Sequence, residues 1–161
     1  MRVYIDFDGV ILDTDTTIDN IIKKNNIDKK GYIRNCDWIG LLNNTPVINN
    51  SLYYLKETKL DIYLLSKIST LEEGISKVRY LRDNNISMNI YLVPNKISKS
   101  DIVNSKGNIL IDDKVYNLDE WKSKGGISIF FNKDNKDIDV YGKVNTEYKK
   151  ICDLRMLLSE K

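Results

Sequence analysis

Five short runs of apolar residues recur along the chain, and most are separated by segments with helical spacing. The runs cover residues 3–7, 61–65, 89–93, 108–111 and 127–131, each bounded by polar or turn-forming residues. Buried strands of parallel sheets are continuous apolar runs, and intervening helical segments of about 10–15 residues are typical of crossover connections. The pattern therefore predicts a three-layer, Rossmann-like α/β fold, in which helices cover a five-stranded, mainly parallel sheet.

Helical periodicity is clear in two segments. Between the second and third runs, apolar residues recur at helical spacing, and Ser69 or Thr70 is placed to cap the start of the helix. The apolar positions of this helix are Leu71, Ile75, Val78, Tyr80 and Leu81. The spacing of apolar residues between 144 and 158 predicts a second, C-terminal helix that covers one face of the sheet.

The segment between the first and second runs is too long for a plain crossover. It contains three apolar groups with helical spacing, separated by turns rich in Asn, Lys and Gly. The groups are Ile18, Ile21 and Ile22; Trp38, Ile39, Leu41 and Leu42; and Leu52, Tyr53 and Leu55. Open α/β sheets bind ligands at the carboxyl ends of their strands. We therefore predict a small helical cap of residues 14–60 over that edge, inserted into a core of residues 1–13 and 61–161.

Composition narrows the chemistry. The chain has 161 residues, of which 42% are hydrophobic, and its net charge of +2 gives no reason to expect binding to nucleic-acid polymers or membranes. It contains no His, which excludes Ser-His-Asp and Cys-His catalysis and His-ligated zinc or haem. Cys36 and Cys152 lie far apart, and no run of 18 apolar residues occurs. We therefore expect a cytoplasmic protein without a disulfide framework, signal peptide or membrane span.

Two acidic clusters each directly follow an apolar run. Asp is so common, with 17 in 161 residues, that Asp-x-Asp and Asp-Asp patterns alone carry no information. Their position is informative, because Asp6 and Asp8 follow the apolar residues 3–5 of the first run, with Gly9 permitting a tight turn, and Asp112 and Asp113 follow the fourth run. If these strands are neighbours, four carboxylates meet at one edge of the sheet, where a hard cation such as Mg²⁺ would neutralise them.

This acidic edge, in a chain without His, favours phosphoryl transfer to a carboxylate. The first Asp would form an aspartyl-phosphate that water then hydrolyses, and the second would act as general acid and then as general base. A hydroxyl and a cation are still needed for the remaining phosphoryl oxygens. Ser66, after the second run, and Lys99, after the third, fit these roles, and Lys96 is a rival to Lys99.

These motifs, in this order, resemble the haloacid dehalogenase superfamily of aspartate-nucleophile phosphatases. The matching segments are Asp6-Phe7-Asp8-Gly9-Val10 for its first motif, Leu64-Leu65-Ser66 for its hydroxyl motif, Lys99 for its lysine motif and Leu110-Ile111-Asp112-Asp113 for its acidic motif. More narrowly, the chain from Lys99 through the acidic motif to Gly125-Gly126-Ile127 resembles the 5'(3')-deoxyribonucleotidase branch and its bacterial and phage relatives.

The resemblance implies a role for each motif residue. Asp6 would be the nucleophile, and Asp8 the acid and base, whose backbone carbonyl also meets the metal. Ser66 and Lys99 would hold the phosphate of a small phosphorylated substrate, such as a deoxyribonucleoside monophosphate. The implied cofactor is Mg²⁺, and its implied ligands are Asp6, Asp8, Asp112 and Asp113. Within the acidic pair, Asp113 is favoured as the direct ligand.

The sequence leaves other interpretations open. A signalling receiver module combines similar residues around Mg²⁺, although in the reverse order along the chain, and a non-catalytic relative would use the pocket only to bind phosphate. Ser66 also fits ordinary turn chemistry. Trp38, with Tyr32 and Tyr53, fits either a base-stacking pocket or the core of the cap. Arg34 fits either a contact with a substrate anion or solvated surface.

Overall fold

Six parallel strands form one sheet in the computed structural model, which describes residues 1–158. The strands are β1 (Val3–Ile5), β2 (Ile62–Ile68), β3 (Ile90–Pro94), β4 (Ile109–Asp112), β5 (Ile127–Phe131) and β6 (Lys149–Ile151). Their order across the sheet is β3-β2-β1-β4-β5-β6, and every neighbouring pair is parallel. The predicted α/β architecture with a parallel sheet is therefore confirmed, and all five predicted strands are present.

The prediction of only five strands and a C-terminal helix is wrong at the end of the chain. Residues Lys149–Ile151 form β6 at the edge of the sheet, and a 3₁₀ helix follows at Arg155–Leu158. The apolar residues between 144 and 158 have helical spacing, which is why a helix was predicted there. Strand β6 has only three residues, two of them lysines, so it has too few apolar positions to show the alternation of a strand. Residues 159–161 of the predicted core lie outside the described part of the chain.

Seven α-helices accompany the sheet within residues 1–158. They are α1 (Thr14–Asn25), α2 (Lys29–Asn35), α3 (Trp38–Asn43), α4 (Ser51–Glu57), α5 (Leu71–Asp83), α6 (Lys99–Ile102) and α7 (Val115–Ser123). The insertion holds four helices rather than the three predicted, because α2 forms where a turn was expected. Asp28 caps α2 by accepting a hydrogen bond from Gly31 N at 2.9 Å, and Thr70, one of the two predicted caps, begins α5. None of the helices described is long and apolar enough to cross a membrane.

The two faces of the sheet are covered by different parts of the chain. Successive strand residues point to opposite faces, so Tyr4 packs with Trp121 of α7, whereas Ile5 belongs to the cluster on the other face. That second cluster also contains apolar residues of the insertion, such as Leu42 on α3. The insertion therefore packs on one face of the sheet, while α6 and α7 lie at the other. The division into a core and a cap stays a prediction.

Gly126 lies so close to Trp121 that a larger residue does not fit. A Cβ atom at this position would lie 2.2 Å from Trp121 Cδ1, and the indole is fully buried, with its N–H donating to the Asn108 carbonyl at 3.0 Å. We expect Gly126→Ala to lower the free energy of unfolding by about 1–3 kcal/mol, the usual cost of overpacking. Gly31→Ala is the control, since its Cβ would meet nothing closer than 3.4 Å. Urea unfolding of both variants measures the difference, and equal stabilities would contradict the packing described.

Candidate active site

The register of the sheet brings the two acidic clusters together. Strands β1 and β4 are adjacent and parallel, with Ile5 opposite Ile111, so Asp6 and Asp112 leave the sheet side by side. Asp6 N donates to the Ile111 carbonyl at 3.0 Å, which extends this pairing by one residue. Carboxylate oxygens of Asp6, Asp112 and Asp113 lie within 4.8 Å of one another, and all three residues are buried. We refer to these three residues as the acidic cluster.

Lys99 brings positive charge to the acidic cluster. It begins α6, a single turn of helix after β3, and its side chain is buried. Its ammonium group donates to Asp6 Oδ1 at 2.9 Å and to Asp112 Oδ2 at 2.6 Å. Burial lowers the pKa of Lys99, but the two carboxylates outweigh burial, so the pKa is raised overall and the lysine stays charged. Lys96, its rival in the sequence, is exposed on the turn between β3 and α6.

Asp8 is held by a buried lysine that sequence reasoning missed. Lys77 on α5 is completely buried, and its ammonium group donates to Asp8 Oδ2 and to Glu73 Oε2, each at 2.7 Å. Burial raises the pKa of Asp8, but the Lys77 ammonium outweighs burial, so the pKa lies below its usual value. Lys77 therefore fixes both the position and the charge of Asp8. The spacing of Glu73 and Lys77, four residues apart on a helix, is the one sequence signal of this pair.

Asp6 and Asp8, the two residues predicted to be catalytic, line a cavity of about 170 Å³, which we call the catalytic cavity after that prediction. The core also contributes Lys67, Ser69, Asn95, Lys99, Lys114 and Tyr116 to its walls. The insertion contributes Thr14, Asp15, Ile18, Lys29, Ile33 and Trp38. Helices α1, α2 and α3 of the insertion therefore form one side of the catalytic cavity, opposite the strand ends.

Ser66 lies behind the catalytic cavity rather than in its wall. Its side chain is completely buried, and its hydroxyl accepts a hydrogen bond from the Lys77 ammonium at 3.0 Å. The end of β2 instead presents Lys67 and, just beyond the strand, Ser69 to the cavity. Burial lowers the pKa of Lys67, and the nearby Lys99 charge lowers it further. The side chains of β2 alternate between the two faces, which explains why adjacent residues have such different surroundings.

Of the three aromatic residues singled out in the sequence, Trp38 alone lines the catalytic cavity. Trp38 lines the catalytic cavity, but it is only 4% exposed, and its indole N–H donates to the Ile33 carbonyl at 2.9 Å. Tyr32 and Tyr53 are absent from the described residues that line the cavity. Two other aromatic residues, Tyr116 and Tyr141, line it, and their ring centroids are 6.2 Å apart.

The acidic cluster fits a divalent cation. Asp8 Oδ1 and Asp113 Oδ1 are buried and find no hydrogen-bond partner among residues 1–158. Burial, with the nearby Asp112, raises the pKa of Asp6 to about 6. Burial, with the neighbouring carboxylates, also raises the pKa of Asp113 well above its usual value, although Lys114 opposes this. Negative charge here is therefore incompletely neutralised, and an all-oxygen set of donors is what Mg²⁺ prefers.

Gly9 creates the space in which Asp113 lies. Its φ of +80° is a conformation that other residues rarely adopt, and a Cβ atom here would lie 1.9 Å from Asp113 Oδ2. The glycine after Asp8 therefore does more than permit a turn, because it lets the second acidic motif approach the backbone of the first.

We expect Asp113→Asn to separate the cost of the buried charge from its use in metal binding. Without metal, the variant should be at least as stable as the wild type, because it removes a poorly compensated buried charge. Addition of Mg²⁺ should stabilise the wild type, by about 2.7 kcal/mol at 100 times Kd, and stabilise the variant much less. Thermal unfolding with Mg²⁺ or EDTA measures both effects.

The control is Asp101→Asn, which changes an exposed carboxylate on α6. This control should respond to Mg²⁺ as the wild type does. Equal stabilisation of wild type and Asp113→Asn by Mg²⁺ would contradict the assignment of the acidic cluster to the metal.

Comparisons with known proteins find similarity in structure alone. No protein-family model matches the sequence, and no curated protein matches it. The fold is similar to D,D-heptose 1,7-bisphosphate phosphatase from Burkholderia thailandensis, with 12% identity and a TM-score of 0.56 over 98% of this chain and 96% of that one. A haloacid dehalogenase-like protein of unknown function from Agrobacterium tumefaciens gives a TM-score of 0.60, with 10% identity over 98% and 95% of the two chains.

A third similar structure is a hydrolase of the haloacid dehalogenase-like family from Streptococcus pneumoniae. Its TM-score is 0.52, with 11% identity over 97% of this chain and 90% of that one. These likenesses extend over nearly the whole of each chain. The protein therefore has the haloacid dehalogenase-like fold.

Proposed function

We propose that the protein is a Mg²⁺-dependent phosphomonoesterase with Asp6 as its nucleophile. The observation that carries this proposal is the position of the Asp6 carboxylate, which lines the catalytic cavity, belongs to the acidic cluster and lies 2.9 Å from the Lys99 ammonium. A carboxylate beside a lysine and a cation site is suited to attack on a phosphate ester. Two of the similar structures are described as a phosphatase and a hydrolase, which supports this chemistry.

The proposed reaction has two steps. Asp6 attacks the phosphorus atom, the bond from phosphorus to the leaving oxygen breaks, and Asp8 donates a proton to that oxygen. Water then attacks the phosphorus of the aspartyl-phosphate while Asp8 accepts a proton, which releases inorganic phosphate and restores Asp6. Lys77 keeps Asp8 charged in the free protein, and a phosphate dianion beside Asp8 raises its affinity for the proton that it donates.

The cation and two lysines would stabilise the negative charge that builds up on the phosphoryl oxygens. The cation, held by the acidic cluster with the Asp8 backbone carbonyl, would supply the largest positive charge. Lys99 would contact both Asp6 and the phosphate. Lys67 is a stronger candidate than Ser66 for the remaining contact, because Lys67 lines the catalytic cavity, whereas Ser66 would first have to give up its hydrogen bond with Lys77.

A deoxyribonucleoside monophosphate is the finer proposal for the substrate. The pair of aromatic rings, Tyr116 and Tyr141, supports it, since both line the catalytic cavity and Tyr141 is 68% exposed. Exposed aromatic rings at the edge of a cavity are suited to stacking a nucleobase. Trp38 is less suited, because it is buried and its indole N–H is already bonded.

The experiment that tests this function is phosphate release from a panel of nucleoside monophosphates, sugar phosphates and other small phosphate esters, each with Mg²⁺ and with EDTA. We expect turnover that requires Mg²⁺ and is greatest for deoxynucleotides. Turnover spread over sugar phosphates would support the phosphatase activity but contradict the nucleotidase specificity. Turnover that is equal in EDTA would contradict the metal-dependent mechanism.

A receiver module and a non-catalytic phosphate-binding protein are the alternatives. The order of motifs argues against a receiver, because Asp6 and Asp8 precede the acidic pair Asp112 and Asp113 along the chain. A stable phospho-Asp without turnover would favour the receiver. Mg²⁺ binding without hydrolysis of any ester in the panel would favour the binding protein.

A further inference from the structure

A second, larger cavity adjoins the catalytic cavity. It has a volume of about 1100 Å³ and lies between α2 and the turn after β3, and we call it the α2 groove. Its apolar lining consists of Ile33, Ile68, Pro94 and Ile97. Its basic lining consists of Lys29, Lys30, Arg34 and Lys96. A groove with an apolar lining and basic side chains around it suits an organic anion.

The α2 groove borders the catalytic cavity. Lys29, Ile33, Ser69 and Asn95 line both. The shared wall is held in place, since the Asn95 side chain donates to Ser69 Oγ at 2.7 Å and Asn95 N donates to the Ile68 carbonyl at 3.0 Å. The leaving group of a molecule whose phosphate lies at Asp6 would therefore have the α2 groove beside it.

The charge in the α2 groove is mostly unpaired. Among residues 1–158, Asp28 is the one carboxylate that lines it, and this carboxylate already accepts a hydrogen bond from Gly31 N at 2.9 Å. Lys29 pairs with Asp19 at 3.2 Å, outside the groove. Within residues 1–158, neither Lys30 nor Arg34 nor Lys96 forms an ion pair.

We propose that the α2 groove binds the leaving group of the substrate, and that this leaving group carries a second phosphate. Lys30, Arg34 and Lys96 would contact that phosphate, while the first phosphate lies at Asp6. The inference rests on the proposed phosphomonoesterase function and extends the finer proposal of a nucleoside monophosphate, because the preferred substrate is now a small molecule with a second phosphate on its leaving group. The apolar lining would contact the carbon skeleton between the two phosphates.

The test compares substrates that differ only in the second phosphate. Two sets of compounds are suitable. One is glucose 1,6-bisphosphate with glucose 1-phosphate and glucose 6-phosphate, and the other is deoxyadenosine 3',5'-bisphosphate with its 3'- and 5'-monophosphates. We expect kcat/KM for the better bisphosphate to exceed that of its monophosphates by roughly tenfold, because the basic side chains attract the second phosphate. The comparison is made at low salt, since these side chains are exposed and dissolved ions would screen their charge. Comparison of the two sets shows whether the leaving group that carries the second phosphate is a sugar or a nucleoside.

The double variant Lys30→Met, Arg34→Met should remove this preference by raising KM for the bisphosphate. Its kcat/KM for the monophosphates should stay within about twofold of wild type, since neither residue lines the catalytic cavity. Lys24→Met, an exposed change at the end of α1 outside the α2 groove, is the matched control. A wild type without the preference, or a double variant that keeps it, would overturn the proposal.

Binding separates failure of this inference from failure of the proposed function. Calorimetry with Asp6→Asn measures the affinity for each bisphosphate and monophosphate without turnover. We expect roughly tenfold tighter binding of the bisphosphate, lost when Lys30→Met and Arg34→Met are added. If the wild type hydrolyses neither the bisphosphates nor the monophosphates but this difference in affinity is present, the proposed phosphomonoesterase function is wrong and the second phosphate site is supported. If hydrolysis occurs and the difference in affinity is absent, the second phosphate site is wrong and the phosphomonoesterase function is supported.

Discussion

Lys77→Met is expected to lower the free energy of unfolding by about 3–5 kcal/mol, the usual cost of removing one partner of a buried ion pair. The lysine side chain is 0% exposed and lies 2.7 Å from both the Asp8 and the Glu73 carboxylates, so its loss leaves two buried or half-buried carboxylates without a cation. Phosphatase activity should also fall, because Asp8 loses the contact that positions it. Urea unfolding and phosphate release measure the two effects.

Two further variants show whether charge is the cause. Arg79→Met changes an exposed residue on the same helix, whose ion pair with Asp83 is solvated, and should cost less than about 0.5 kcal/mol. Adding Glu73→Gln to Lys77→Met should recover part of the lost stability, since it removes one of the two unpaired charges. A Lys77→Met protein as stable as Arg79→Met would contradict the buried network described above.

Asp6→Asn is expected to lower kcat on the order of 10⁴-fold or more, as the loss of a covalent nucleophile does in other hydrolases. The amide keeps the size of the side chain but cannot attack phosphorus, so the fold should be retained while turnover is lost. The control is Asp137→Asn, which changes an exposed carboxylate in an Asp-x-Asp triplet that follows no strand. Its kcat should stay within about twofold of wild type.

Both variants are assayed on the best ester of the panel, with thermal unfolding to verify the fold. Residual activity of Asp6→Asn above about a tenth of wild type would contradict its role as nucleophile. A large loss in Asp137→Asn would mean that the assay responds to surface charge rather than to the catalytic cavity.

The parallel sheet could be predicted because each of the strands β1 to β5 is an apolar run with polar or turn residues at its ends. Strand β6 could not, since Lys149–Ile151 has one apolar residue and takes its stability from pairing with β5. Helix α2 was missed for a similar reason, because its sequence, rich in Lys and containing Gly31, resembles a turn. These elements depend on contacts that local periodicity does not record.

The acidic site could be predicted from the position of Asp6 and Asp112 after apolar runs, because parallel strands end at a common edge. Lys77 could not, since a lysine in a helix normally indicates a solvated face. Of the apolar residues that predicted α5, Tyr80 and Leu81 are buried, whereas Leu71 and Ile75 are 72% and 54% exposed in the structure. The helix also buries Glu73 and Lys77, because the Lys77 ammonium donates to both Asp8 and Glu73.

The most direct test of the proposed mechanism is to trap the covalent intermediate. A phosphate ester is hydrolysed by the Mg²⁺-loaded protein, the reaction is stopped during turnover with borohydride, and the protein is digested for mass spectrometry. Borohydride reduces an acyl phosphate to an alcohol, so an aspartyl-phosphate at Asp6 is converted to homoserine at that position. We predict homoserine at residue 6 that depends on substrate. Turnover with an unmodified Asp6, or with the modification at another carboxylate, would contradict the account.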